Sequence, residues 1–261
     1  MKLLFVGDVM GKPGRRVLAE QLPRLIDRHR IDYSIVNIEN AAGGFGVTES
    51  VFAEFERLPI DCYSTGNHVW DKREVRGILE REPRLLRPAN YPDTNPGRGL
   101  YVGRSAAGVP VATLNLEGQA LMGTLDSPFT AADRLLAELD PEVKVILVDF
   151  HAEATSEKQA MGFFLDGRVS AVFGTHTHVP TGDERVLPQG TAFITDVGMT
   201  GPYESVIGMR HDKVVERFLR KTHVPFEVAK RDVRLAGAVV DVDETTGRAR
   251  TVERLLIPRD S

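Results

Sequence analysis

Five short apolar runs, each ending at a residue type that can bind a metal ion, constrain this chain more than any other feature. Lys2 to Val6 leads to Asp8, Tyr33 to Ile38 to Glu39-Asn40, and Asp61 to Thr65 to Asn67-His68. Lys144 to Phe150 leads to His151, and Ser170 to Phe173 to His176 and His178. Any one of these polar residues reads equally well as a turn former or helix cap. In open α/β sheets, however, ligands bind outside the carboxyl ends of the strands. Five such ends carrying Asp, Glu, Asn and His point to a metal site. The last segment is the most specific. If it continues as a strand, the period of two puts both imidazoles on one side, and neutral imidazole is a good ligand for zinc, manganese, iron or nickel.

The intervening segments predict helices. Arg15 to Arg30 has helical spacing, with Pro23 expected to kink or interrupt it. Thr48 would cap a helix to Leu58, Asp71 and Glu74 resemble a capping box opening a helix to Arg81, and Ser127-Pro128 would open one to Leu139. Another runs from Thr155 to Asp166-Gly167. Leu100 to Arg104 and Val109 to Leu116 read as a hairpin, as do Val233 to Val242 and Arg248 to Ile257, and Gly190 to Thr195 reads as a further strand. No linker or repeat divides the chain, so residues 1–261 read as one domain. Alternating strands and helices with two antiparallel pairings suggest a two-sheet α/β sandwich.

Charge excludes some partners. Thirty-three Lys+Arg against 37 Asp+Glu give a net charge of -4, which provides no broad basic surface for nucleic acid or membrane. No apolar run approaches the ~20 residues of a membrane span. Met1 to Val6 enters a strand without a secretory leader, so a cytoplasmic location is expected. A single cysteine, Cys62, excludes an intrachain disulfide and a thiolate-rich metal site, and its place within a strand reads as core.

Two carboxylates, two amides and three or four imidazoles are too many donors for one ion. Two adjacent ions fit, with Glu39 as the natural bridge. Two-metal sites at ~3.5–4 Å separation clamp the attacking and leaving oxygens of an in-line phosphoryl displacement and generate a hydroxide nucleophile, which removes the need for a nucleophilic side chain.

The blocks Gly7-Asp8-Val9-Met10, Asn37-Ile38-Glu39-Asn40, Gly66-Asn67-His68-Val69, His151 and Gly174-Thr175-His176-Thr177-His178 resemble those of the calcineurin-like metallophosphoesterases. Departures are specific: Met10 stands where a histidine is usual, Glu39-Asn40 replaces an aspartate block, and Val69 follows His68 where an acid is usual. Together with Asp196 to Pro202 they are similar to the YmdB-type branch. That resemblance implies an αββα sandwich of two mixed β-sheets flanked by helices, and hydrolysis of 2′,3′-cyclic nucleotides at a di-iron centre, with manganese or zinc also acceptable to the donors. It implies that Asp8, Glu39, Asn40 and His178 hold the first metal, with Asn40 filling the place left by Met10. Asn67, His151 and His176 complete the second around the bridging Glu39, and His68 is the general acid. The expected partner is a small phosphodiester or cyclic nucleotide, and a homo-oligomer is compatible with the sequence. A phosphomonoesterase, or a metal-stabilised regulatory module with little catalysis, are the alternative readings.

Other candidates carry two readings each. Gly43, Gly44 and Gly46 would let backbone approach a phosphate or form a mobile loop. Asp149 and Asp196 would orient ligand histidines or act as caps. Arg87 to Asn90 would close over the substrate or brace the Pro83 to Gly99 excursion. His29, His211 and His223 read as surface residues.

Overall fold

A computed structural model describes residues 1–259, and in it the apolar runs become the strands of two mixed sheets. The first contains β1 (Lys2–Val6), β2 (Tyr33–Asn37) and β3 (Cys62–Ser64) in parallel. It is extended by the C-terminal hairpin of β11 (Val233–Val242) and β12 (Ala249–Pro258), whose β11 pairs antiparallel with β1. The second has β5 (Pro110–Glu117), β6 (Val145–His151), β7 (Ala171–Thr175) and β9 (Ala192–Ile194) in parallel. Antiparallel β4 (Leu100–Arg104) and β8 (Arg185–Val186) form its edges, and the two-residue β10 (Gly201–Pro202) pairs with β11.

Both faces of each sheet are covered, which is why the central strands read as continuous apolar runs rather than alternating ones. On β1, Leu3 and Phe5 face the second sheet, where Phe5 meets Phe173 with ring centroids 5.5 Å apart. Leu4 and Val6 face outward into a layer built with α1 (Gly11–His29), α2 (Glu49–Phe55) and α3 (Val75–Arg81). On β5, Ala112, Leu114 and Leu116 pack under α4 (Pro128–Glu138) and α5 (Thr155–Leu165). The result is the αββα sandwich. A last helix, α6 (His211–Arg220), buries only Val214 and has no counterpart in the sequence reading. No helix among the described residues is long and apolar enough to cross a membrane.

Several local expectations are corrected. Helix α1 runs through Pro23: the missing hydrogen bond is outweighed by burial of Val17, Leu18, Leu22 and Leu25 on one face. Thr48 caps α2, accepting from Val51 N, but Asp71 caps nothing and bonds His68 instead, while Glu74 accepts from Glu49 N of the neighbouring helix. Ser127 makes no side-chain cap; Pro128 at the first turn starts α4 by its fixed φ. Residue Ala154 occupies the N-cap position of α5. Arg87 and Asn90 brace the excursion: Arg87 donates to the carbonyls of Pro88 and Pro96, and Asn90 to those of Glu117 and Asp126.

Candidate functional site

The parallel strands of both sheets end at one edge, and the side chains beyond them meet there. Asp8 follows β1, Glu39-Asn40 follow β2, Asn67-His68 follow β3, His151 closes β6, and His176 and His178 follow β7. Asp8, Glu39, Asn40, His151 and His178 are buried, and Asn67, His68 and His176 are partly buried. The two β7 histidines reach the centre differently from the strand reading. β7 stops at Thr175, and His176 and His178 adopt left-handed φ values of 96° and 65°, so the turn rather than the pleat aims them.

Hydrogen bonds behind the three imidazoles set which nitrogen faces inward. Thr175 Oγ1 donates to Asp149 Oδ1 at 2.7 Å, so it can only accept from His151 Nδ1 at 2.9 Å. His178 Nδ1 donates to Ile207 O at 2.8 Å, and His176 Nε2 lies 3.1 Å from Glu153 Oε2. The opposite nitrogens therefore present lone pairs to the centre. Around His151 Nε2 stand Asn67 Oδ1 at 2.9 Å, His176 Nδ1 at 3.1 Å and Glu39 Oε1 at 3.2 Å. One ring nitrogen can carry one proton, so three such contacts cannot all be hydrogen bonds. Asn40 Nδ2 donates to Gly44 O at 3.0 Å, which turns its Oδ1 toward His178 Nε2 at 3.2 Å, again acceptor to acceptor. Gly44, at φ 103°, provides the turn that offers this carbonyl.

Asp8 completes the picture. Its Oδ2 accepts from His176 N at 2.8 Å and lies 3.8 Å from His178 Nε2. Its Oδ1 is buried with no hydrogen-bond partner among the described residues. A buried carboxylate oxygen left bare costs about 1–3 kcal/mol or more, and a cation removes that cost. Ligand atoms of Glu39, His151 and His176 all lie within 4.8 Å of one another. The donor set fits metal ions.

Charges follow the same geometry. Burial disfavours charge on His151, yet the Glu39 and Asp8 carboxylates outweigh it and push its pKa up to about 9. Burial likewise opposes ionisation of Glu39, but His151 holds its pKa at about 2. Burial raises Asp8 and lowers His178, while burial and the neighbouring His151 push His176 down to about 3. A proton on His151 relieves one contact of three; a divalent ion would relieve all.

His68 sits at the mouth, its Nδ1 2.9 Å from Asp71 Oδ2 and its backbone N–H donating to Glu39 Oε2 at 3.2 Å. Phe45 packs edge-on against its ring at 5.0 Å. Met10, where a histidine is usual in the resembling proteins, is buried with Met199, Met209 and Val214.

Sequence reasoning missed Thr175, Glu153 and Lys158. Thr175 was legible as a polar residue inside an apolar strand end. Lys158 is a fully buried cation on α5 that donates to Asp196 Oδ2 and Thr175 O, each at 2.7 Å. Asp196 also accepts from Thr177 N and Oγ1, so it ties down the histidine turn rather than orienting a histidine. Asp149 hydrogen-bonds Thr175 rather than His151 itself, while also accepting from Asn37 and Ser64. Glu117, opposite His151 in the β5–β6 ladder, is buried, and burial pushes its pKa up to about 7.

A family model described as YmdB-like protein matches residues 4–255. Over the whole chain, 46% of residues are identical to a Bacillus subtilis protein named 2′,3′-cyclic-nucleotide 2′-phosphodiesterase, 98% of which is covered. A Mycoplasma genitalium protein named putative phosphatase/phosphodiesterase is 34% identical over the whole chain and 94% of its own length. Among solved structures, a hypothetical protein from Thermus thermophilus superposes with a TM-score of 0.93 at 41% identity, with both chains fully covered. A structure titled as a novel phosphatase from Mycoplasma pneumoniae gives a TM-score of 0.93 at 34% identity, covering all of this chain and 94% of that one.

Proposed function

Because this chain belongs to the YmdB-like family, we propose that it is a metal-dependent phosphodiesterase hydrolysing 2′,3′-cyclic nucleotides at the 2′-oxygen. The observation that carries this reading is the inward convergence of lone pairs from three imidazoles, two amides and two carboxylates, with Asp8 Oδ1 left bare. Its substrate is supported by the name of the Bacillus relative. In this reading the whole chain is one catalytic domain acting in the cytoplasm.

Asp8, Glu39, Asn40 and His178 would hold one ion, and Asn67, His151 and His176, together with Glu39, would hold a second. Iron is the metal implied by family resemblance, and manganese or zinc suit the same donors. Bound cations would supply Lewis acidity to the phosphoryl oxygens and an activated water. The chain's own residues do the rest. Thr175, Glu153 and the Ile207 carbonyl hold the imidazoles in the orientation that directs lone pairs inward. His68 donates a proton to the departing 2′-oxygen from its Nε2 edge, while the contact of Asp71 with Nδ1 fixes the plane of the ring. The hydrogen bond from His68 N to Glu39 ties the acid's position to the shared carboxylate.

Metal analysis of unsupplemented protein, with a panel of cyclic diesters, linear diesters and monoesters, tests the reading. It expects about two transition-metal ions per chain and fastest turnover of cyclic diesters. His68→Ala should keep the ions and lose roughly 10²–10⁴ in rate. Undiminished diester hydrolysis by His68→Ala would mean the acid is misassigned, and turnover that survives removal of all metal would end the proposal. A phosphomonoesterase, suggested by the phosphatase names of two relatives, would instead favour the monoesters.

A further inference from the structure

One wall of the site is unlike the rest. A cleft of about 510 Å³ starts at Glu39, Asn40, His68, His176 and His178 and opens outward over an apolar surface. That volume lies in the usual range of small-ligand pockets, ~300–1,000 Å³. Met10, Phe45, Met209, Val214, Phe218 and Phe226 supply the apolar wall. Away from the cation-facing end, the polar side chains on it are Glu153 and Thr177, both near that end in sequence and space.

The aromatic members are placed against ordinary burial. Phe218, on α6, is 67% exposed and Phe226, in the segment after it, is 41% exposed, and the helix itself buries a single residue. Arg217 lies over the Phe226 ring at 4.6 Å and Lys221 over the Phe218 ring at 5.7 Å, so each exposed ring is held by a cation. Phe45, at the inner end, packs on His68. Aromatic surface kept in water next to a phosphate-directed cluster needs an occupant that is flat, apolar on its faces and joined to a phosphate.

We infer that the cleft between Phe45, Phe218 and Phe226 seats the base of a nucleoside phosphate by stacking, and reads its faces rather than its edges. The inference rests on the phosphodiesterase reading, because the phosphate at the cluster is what directs the nucleoside outward. Stacking on aromatic side chains tolerates any base because every base has a π-face, and the wall lacks the paired donors and acceptors that would discriminate among them. Adenine and guanine, which stack alike and differ at their edges, are therefore accepted alike.

The test uses the full-length, metal-loaded protein with Phe218→Ala, Phe226→Ala and the double variant. Substrates are the adenosine and guanosine 2′,3′-cyclic phosphates and a base-free methyl riboside 2′,3′-cyclic phosphate. Binding of adenosine 3′-monophosphate is measured separately by calorimetry. Each single variant should raise KM for both nucleotides about tenfold, the scale of one lost base–aromatic stack. It should leave kcat within about twofold and the base-free ester unaffected, and the two purines should differ by less than about fivefold in the wild type. Equal effects on nucleotide and base-free esters, no effect of any variant, or a larger purine preference overturns the inference while leaving the phosphodiesterase reading intact. If wild type hydrolyses none of the esters yet binds the monophosphate through Phe218 and Phe226, the functional reading falls and the base site stands. If it neither hydrolyses nor binds through those rings, both fall.

Discussion

Gly66→Ala tests the geometry of the cluster with one methyl group. Gly66 lies between β3 and Asn67, and its φ is outside the left-handed region, so alanine is acceptable to the backbone. A Cβ there would sit 2.2 Å from His151 Cδ2, 2.3 Å from His151 Nε2 and 2.4 Å from Glu39 Oε2, where ordinary contact begins at 3.4 Å. His151 or Glu39 must therefore withdraw by about 1 Å, or strand β3 must shift. His151 cannot tilt freely because Thr175 holds its Nδ1. Misplacing catalytic groups by ~1 Å costs about 10²-fold in rate, whereas overpacking a rigid interior costs about 1–3 kcal/mol of stability. The variant should thus fold, lose at least one ion by metal analysis, and fall about 10²-fold or more in kcat/KM. Gly123→Ala, whose Cβ would meet nothing within 4 Å, is the control for substitution itself. A Gly66→Ala protein with full metal content and kcat/KM within about twofold of wild type would refute the claim that this edge is packed around the donors.

Three further outcomes follow from the same contacts. Thr175→Val keeps the side-chain shape but removes the oxygen that orients His151, and ion affinity should fall about 10–100-fold, read by competition with a chelating dye; unchanged affinity would remove Thr175 from the site. Lys158→Met strands the buried Asp196 carboxylate, so the denaturant midpoint should drop by the equivalent of about 3–5 kcal/mol, and a loss under about 1 kcal/mol would show the ion pair to be dispensable. In metal-free protein, burial opposes charge on His151 but its carboxylate neighbours raise its pKa from 6.5 to about 9, so its stabilising contribution is complete below pH 6.5 and lost as pH rises through about 9. Burial raises Glu117 from 4.5 to about 7, which also favours the protonated fold and is lost as pH rises through that value. Above pH 7, where the lowered His176 and His178 are neutral in both folded and unfolded chains, stability of the metal-free protein should therefore decline up to pH 9 in denaturant titrations, and a rise over that window contradicts the His151 assignment.

Much of this protein was legible along the chain because its pattern is local. Strands covered on both faces are apolar throughout, so β1, β2, β6 and β7 stand out between polar turns, and the residues after them could be named by position alone. The two sheets follow from the hairpins and the alternation, and the convergence of Asp8, Glu39, Asn40, Asn67, His151, His176 and His178 follows from parallel strands ending on one side.

Orientation was decided elsewhere. That His176 and His178 face inward depends on left-handed turns held by Asp196 and Lys158, contacts between residues 17 to 38 positions apart that no local period encodes. Asp71 had the spacing of a cap and became the partner of His68 because α3 starts later, at Val75. Thr175, Glu153 and the Ile207 carbonyl set the imidazole tautomers only once strands and loops distant in sequence are brought together. Helix α6 does carry an apolar stripe, Val214, Val215, Phe218 and Leu219, but all of it except Val214 stays exposed instead of joining the core, so its place beside the site was set by tertiary structure. Residue type and strand position are properties of a segment, so the sequence alone determined which groups reach the rim. The direction of each lone pair depends on a second segment, and only tertiary packing could decide it.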